Sequence, residues 1–249
     1  MDEKKIPILM YHQTEPPPPK GIPMRGLVVS PKTFSRHMEV MAMFGYRGLS
    51  MSGLEPYLRG EKTGKVFGIT FDDGYVNNLV HALPVLRQHG FNSTCYAVAS
   101  LVGKTNQWDM DKGITQVSLM TKAQMQAWVD GGQEIGSHAM QHCRLTDLSR
   151  DAQLAQVSES KTLLESLVRQ EGGIRHFCYP YGSFSADTVA VVQQAGYITA
   201  TTTVRSRVLL DSNIDFMRLP RVRVSRNTPW FLLLAKCLTS YEDRRIANG

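Results

Sequence analysis

The sequence predicts an α/β fold with a largely parallel sheet, and its alternation of strands and helices fits a barrel. Short apolar runs alternate with amphipathic stretches along all 249 residues. No interior linker divides the chain, so we expect a single domain over residues 1–249. The composition, 42% hydrophobic and 20% charged, is ordinary for a globular protein. It excludes disordered and collagen-like chains, and four cysteines are too few for a disulfide scaffold.

Each predicted element follows from hydrophobic spacing and from residues that start or stop helices. Strands are predicted at residues 6–11, 66–71, 95–99, 134–137, 176–179, 198–204 and 218–224. Helices are predicted at residues 31–44, 76–89, 121–129, 147–169 and 185–194. The first helix begins at Ser30-Pro31, and Phe34, Met38, Met41 and Phe44 predict its buried stripe. The proline run at 16–19 predicts an irregular loop.

Charge and segment composition limit the expected partners. The net charge of +6 is compatible with an acidic substrate or an anionic surface. The basic C-terminal stretch lacks interleaved aromatic residues, so we expect no nucleic-acid binding. No apolar run is long enough for a transmembrane segment. Trp230, Phe231 and residues 232–234 predict a terminal helix packed on the barrel, with peripheral membrane contact as the alternative. The sequence does not specify an oligomeric state.

The expected location is cytoplasmic, on two observations. The four cysteines form no CxxC pair, which favours a reducing compartment. The N-terminal residues lack the apolar core of a signal peptide, although export stays an alternative if a signal has been removed.

Three polar segments lie where predicted strands end: Asp72-Asp73-Gly74, the stretch from His138 to His142, and residues 179–182. The carboxyl ends of parallel strands meet at one edge, so these segments can converge. Asp73, His138 and His142 form a two-histidine, one-carboxylate set of the kind that holds a catalytic zinc with an open position. Each segment also has a simpler interpretation, as a turn or as partly buried histidines.

At these segments the chain resembles the polysaccharide deacetylases (NodB homology, carbohydrate esterase family 4). The sequences FDDGY at 71–75, SHAMQH at 137–142 and YPYG at 179–182 resemble the family's three motifs in order. The resemblance covers residues 5 to 226 and implies a distorted (β/α)7-type barrel. It also implies hydrolysis of the N-acetyl group of an amino-sugar polysaccharide, such as an exopolysaccharide, or of its precursor.

The resemblance implies a role for each motif residue. Asp72 would be the general base, and Asp73, His138 and His142 would bind a divalent metal, Zn²⁺ by preference with Co²⁺ or Ni²⁺ as alternatives. The backbone N–H of Tyr181 would face the oxyanion.

Two departures from the family pattern bear on these roles. Cys178 stands where the third motif usually begins with arginine, and no histidine follows His176. The branch that deacetylates poly-N-acetylglucosamine is more similar, with Met-Tyr-His at 10–12 and Leu-Pro-Arg at 219–221. That likeness implies His12 as general acid and Arg221 as the group that orients the base.

Alternatives stay open at this point. His12 could be a strand-end histidine bonded to backbone, and Arg221 could belong to a solvated strand face with Arg218, Arg223 and Arg226. The whole chain could be a catalytically silent carbohydrate-binding barrel, or it could remove a different acyl group as a deformylase or esterase.

Overall fold

A computed structural model describes residues 4–243 of the chain. The strands are β1 Lys5–Ile6, β2 Ile8–Tyr11, β3 Gln13–Thr14, β4 Val28–Val29, β5 Arg47–Leu49, β6 Val66–Phe71, β7 Thr94–Ala97, β8 Glu134–Ser137, β9 His176–Cys178, β10 Thr199–Arg205, β11 Val208–Leu209 and β12 Leu219–Arg223. The helices are α1 Pro31–Met43, α2 Met51–Leu58, α3 Val76–His89, α4 Lys122–Asp130, α5 Arg150–Leu167, α6 Ala186–Gln194 and α7 Trp230–Leu238.

Seven parallel strands close into a barrel. Their order is β2-β12-β10-β9-β8-β7-β6, and the pairing of β2 with β6 closes the ring. The short strand β5 adds to the first half of β6. Helices surround the strands, so the predicted (β/α)7-type barrel is confirmed. The prediction of one domain over 1–249 stays a prediction, since it also covers residues outside those described.

Local signals account for most elements. Strand β6 (VFGITF) is buried at all six positions, as expected for a strand covered on both faces. Ser30, Thr121, Ser149 and Ser185 each accept a hydrogen bond from a backbone N–H in the first turn of a helix. Each cap satisfies a donor that the helix itself leaves unpaired, and so fixes where that helix begins.

Several predicted boundaries are wrong by a few residues. Pro7 divides the first predicted strand into β1 and β2, because proline has no N–H for the ladder. Strand β7 ends at Ala97, and α5 begins at Arg150, after its Ser149 cap. Phe44 is 50% exposed, since α1 ends at Met43 and the chain turns away from the core.

The terminal helix α7 packs on the barrel through Leu233 and Cys237. Its first two residues, Trp230 and Phe231, stay exposed. Over residues 4–243, none of the helices combines the length and the apolar character that crossing a bilayer requires.

Candidate active site

A cavity of about 340 Å³ lies at the carboxyl ends of the barrel strands. His12 follows β2, Asp72 and Asp73 follow β6, and His138 follows β8. The remaining wall comes from strand ends and from a long loop, and includes Met10, Gln13, Met24, Leu27, Tyr75, Asn106, Trp108, Asp109, Ile114, His142, Tyr179, Tyr181, Thr203, Arg205 and Arg223. The three polar segments therefore do converge.

Asp73, His138 and His142 form a compact cluster. Asp73 Oδ1 lies 3.5 Å from Nε2 of His138 and 3.4 Å from Nε2 of His142. One ligand atom from each residue fits within 4.8 Å of the others, which is the arrangement of a three-ligand metal site.

Backbone turns bring these side chains together. Asp73 has a φ of 77° and Gly74 one of 85°, so the chain breaks sharply after β6 and both aspartates reach one cavity. Ala139 has a φ of 65°, so His138 and His142 approach each other from a bent loop rather than along a helix. Positive φ is costly at residues other than glycine, and its presence at two such positions beside the cluster marks a constrained site.

The two histidines direct their Nε2 atoms at Asp73. His138 Nδ1 donates to the carbonyl oxygen of Cys178 at 2.7 Å, which orients the ring and leaves Nε2 as its candidate ligand atom. Burial holds the pKa of His142 well below its usual value. Its ring stacks on Trp108 at 4.5 Å between centroids and meets the Tyr181 ring edge-on at 4.4 Å.

This cluster fits a divalent cation because, within the described chain, it holds a buried polar atom without a partner and a carboxylate without a nearby stabilising charge. Asp73 Oδ1 is buried with no hydrogen-bond partner among the described residues. Burial raises the pKa of Asp73 to about 7 against the opposing influence of His138, so the carboxylate lacks the positive charge that would stabilise its ionised form. A cation would supply that charge, and one carboxylate with two imidazoles is a donor set typical of zinc.

Asp72 has the opposite environment. Arg221 Nη1 and Nη2 donate to its two carboxylate oxygens at 2.7 and 2.8 Å. The same guanidinium donates to Thr202 O, Thr70 Oγ1 and Cys178 Sγ. Burial alone would raise the pKa of Asp72, but the charge and hydrogen bonds of Arg221 hold it well below its usual range. Arg221 is 1% exposed, so the alternative of a solvated strand face is wrong.

His12 lies beside this ion pair. Its Nε2 is 3.8 Å from Asp72 Oδ2, and its backbone carbonyl accepts a hydrogen bond from Asn78. Burial, opposed by the charge of Asp72, lowers the pKa of His12 to about 4. The ring is therefore neutral near pH 7.

Tyr181 lies in the cavity wall with a φ of 57°. Its hydroxyl donates to Asp109 Oδ1 at 3.2 Å. The next residue must be glycine, because a Cβ on Gly182 would lie 1.9 Å from Thr203 Oγ1 and its φ is 67°.

Cys178 also lies near His138 and Asp72, and these three form a second group with donor atoms close together. Arg221 already bonds both Asp72 and Cys178, so this group holds a guanidinium in place of a metal ion. Cys143 is half-buried and belongs to neither group.

The match to a family model decides the relationship. Residues 59–200 match the model described as polysaccharide deacetylase, which is more than half of the chain. The chain belongs to the polysaccharide deacetylase family. It is 30% identical over 223 residues to YxkH of Bacillus subtilis (strain 168), itself assigned as a polysaccharide deacetylase, covering 89% of this chain and 72% of that protein.

Two further relatives extend the comparison. The chitooligosaccharide deacetylase of Azorhizobium caulinodans is 27% identical over 129 residues, 51% of this chain and 53% of that protein. The deacetylase PplD of Streptococcus pyogenes, solved with acetate, superposes with a TM-score of 0.81 at 24% identity, covering 94% of this chain and 99% of that one. The superposition shows the shared fold.

Sequence reasoning missed the loop that carries Asn106, Trp108 and Asp109. This loop contributes the ring that stacks on His142 and the carboxylate that holds Tyr181. A tryptophan and an aspartate in a polar stretch without periodicity were the only signal, and loops that carry such residues over a rigid scaffold are common in functional sites.

Proposed function

We propose that the protein is a metal-dependent deacetylase that hydrolyses the N-acetyl group of an amino-sugar polysaccharide or its precursor. Asp73, His138 and His142 would hold the metal, Zn²⁺ by preference. The observation that carries the proposal is the pairing of two features in one cavity: three ligand atoms within 4.8 Å of one another, and an ionised carboxylate, Asp72, directly beside them. Amide hydrolysis needs both an electrophilic centre and a proton acceptor.

The bound cation would polarise the acetamide carbonyl and make a water molecule more acidic. Asp72 needs that help, because Arg221 stabilises its ionised form and makes it a weak base. In return, the two guanidinium bonds fix both carboxylate oxygens, so the base has one orientation toward the water.

The proton then has a short path to the leaving group. Water adds its oxygen to the acetyl carbon and gives a proton to Asp72. Asp72 Oδ2 and His12 Nε2 lie 3.8 Å apart, so the proton passes to His12 after a small approach of the two groups or through one water, and the amide C–N bond breaks as His12 protonates the amine. A neutral resting His12 suits this sequence, because it becomes an acid only after it has received the proton. The backbone N–H of Tyr181 would stabilise the oxyanion.

The amino-sugar substrate is supported by the name of the Azorhizobium relative, which specifies chitooligosaccharides. Aromatic rings of Tyr75, Trp108 and Tyr181 line the cavity, and such rings suit the apolar faces of sugars. A poly-N-acetylglucosamine substrate and a cytoplasmic location stay predictions from the sequence.

The test measures acetate release from N-acetylated chitooligosaccharides by the metal-stripped protein after addition of Zn²⁺, Co²⁺ or Ni²⁺. We expect metal-dependent acetate release that His138→Ala abolishes. Saturable sugar binding without any product would contradict the proposal and favour the silent carbohydrate-binding barrel. Release of formate, or activity on esters alone, would support the hydrolytic mechanism but show that the group removed is not an N-acetyl group. Full activity of His138→Ala would overturn the metal assignment.

A further inference from the structure

Strand β12 directs two arginines toward the cavity. Side chains two positions apart on a strand share a face, so Arg221 and Arg223 point the same way. Arg221 is buried and bound to Asp72 of the cavity wall, whereas Arg223 is exposed and itself lines the wall. Two residues of strand advance the chain by about 7 Å, which places Arg223 nearer the mouth.

Two other arginines near the cavity, and the carboxylate of Asp109 in its wall, already have partners of opposite charge. Arg221 is paired with Asp72, and Arg205 with Glu242 at 2.8 Å. Asp109 is paired with Lys112 and accepts from Tyr181.

Arg223 differs from these residues. Within residues 4–243 its guanidinium has no ion pair and no hydrogen bond, while its backbone carbonyl accepts a hydrogen bond from Lys236 Nζ. Its charge acts on the site, because it is one of the groups that lower the pKa of His12.

We propose that Arg223 binds an anionic substituent, a phosphate or a carboxylate, on the acetylated sugar or on the unit next to it. The inference rests on the proposed function and narrows its substrate class to negatively charged amino sugars. A guanidinium presents parallel N–H donors that match a phosphate or carboxylate in two-point contact.

The position of Arg223 suits selection of substrate rather than chemistry. With the acetamide at Asp73 and the histidines, Arg223 stands on the β12 side of the same cavity, beyond Arg221. A sugar ring would span between the two positions. An anion there would neutralise a charge that the chain itself leaves uncompensated, so binding the charged substrate gains an interaction that a neutral chitooligosaccharide lacks.

The test compares matched substrates in the wild type, Arg223→Gln, Arg223→Lys and a control, Arg218→Gln. Arg218 carries the same charge, is paired with Asp215 and does not line the cavity. The probes are neutral N-acetylglucosamine and triacetylchitotriose, N-acetylglucosamine 1-phosphate and 6-phosphate, and N-acetylmuramic acid as the carboxylate. The two readouts are KM in the zinc-loaded enzyme and binding by calorimetry to metal-stripped protein, in which a phosphate cannot bind the metal.

We expect the wild type to prefer at least one anionic probe. For that probe, Arg223→Gln should raise KM about tenfold and lower the affinity about tenfold, whereas both should change by about twofold or less for neutral sugars. Lysine should restore part of the loss, and Arg218→Gln should match the wild type. The preferred probe tells phosphate from carboxylate. Equal losses on charged and neutral sugars would mean that Arg223 acts only through His12 and would overturn the proposal, as would a wild type without preference.

The two proposals can fail separately. If no probe is hydrolysed under any metal, the proposed function fails, whereas Arg223-dependent binding of the anionic sugar by calorimetry would still support the anion site.

Discussion

Two adjacent aspartates occupy the same cavity in opposite electrostatic states. Asp72 has both oxygens bound by one guanidinium, and its pKa is held low. Asp73 has a buried oxygen without a hydrogen-bond partner in the described chain, and burial raises its pKa to about 7. The described residues thus supply the counter-charge of the first carboxylate and none for the second. Under the proposed function, the same residue type would serve as base or as ligand according to its surroundings.

Removing a proposed metal ligand should have the largest effect on activity. His138→Ala and Asp73→Ala should each lower acetate release by more than about a thousandfold, because the electrophile is lost together with the site. Metal content by mass spectrometry should fall in parallel. The control is His81→Ala on α3, which lies outside the cavity and should keep both metal and activity.

Breaking the ion pair between Arg221 and Asp72 should instead destabilise the fold. Arg221→Met leaves Asp72 buried without its partner, and we expect a loss of about 3–5 kcal/mol in the free energy of unfolding by urea. Adding Asp72→Asn removes the uncompensated charge and should restore part of that loss. If the single and double variants are equally unstable, the ion pair is not the cause.

The pH dependence of stability should separate the two aspartates. In metal-free protein the pKa of Asp73 is raised from 3.8 to about 7, so its stabilising contribution is complete below pH 4 and is lost as pH rises toward 7. The full effect is on the order of a few kcal/mol, at about 1.4 kcal/mol per unit. Asp72, with a lowered pKa, contributes above pH 4 and loses its contribution in stronger acid.

Urea titrations of metal-free wild type and Asp73→Asn between pH 4.5 and 7.5 measure this difference. Stability of the wild type relative to that of Asp73→Asn should fall across that window. The buried His12, His37 and His142, whose pKa values are lowered, make stability rise with pH in both proteins and so largely cancel in the difference. A parallel pH dependence of both proteins would show that Asp73 is not the group responsible.

The smallest expected effect concerns the packing around His142. Trp108→Leu removes the ring stacked on this ligand while keeping apolar bulk, and we expect zinc affinity to fall by less than about tenfold. Competition with a chelating dye measures the change. Trp230→Leu, on an exposed ring of α7, is the matched control. A Trp108 variant with unchanged affinity would mean that the loop backbone alone holds His142.

Much of the fold and of the site follows from the sequence, for identifiable reasons. The barrel strands and their helices carry strong periodicity and caps, as at Ser30 and Thr121, and the three motifs predict residues that do converge at one cavity. Strand β5 and helix α2 were missed because three residues are too short for a pattern and α2 contains Gly53 and Pro56. Their formation depends on tertiary packing.

The isolation of Arg223 was also beyond sequence reasoning. Four arginines between 218 and 226 look equivalent along the chain. Only the three-dimensional structure shows that Arg221 is bound to Asp72, that Arg218 is paired with Asp215, and that Arg223 faces the cavity without a partner in the described residues.

The central claim is that the metal belongs to Asp73 and its two histidines, and that Arg221 excludes it from Asp72. Anomalous diffraction at the zinc edge, on crystals of the metal-loaded protein, tests this most directly. We predict one peak within bonding distance of an Asp73 carboxylate oxygen and Nε2 of His138 and His142, with the Arg221–Asp72 pair intact. A peak bound by Asp72, His138 and Cys178 with Arg221 displaced would contradict the account.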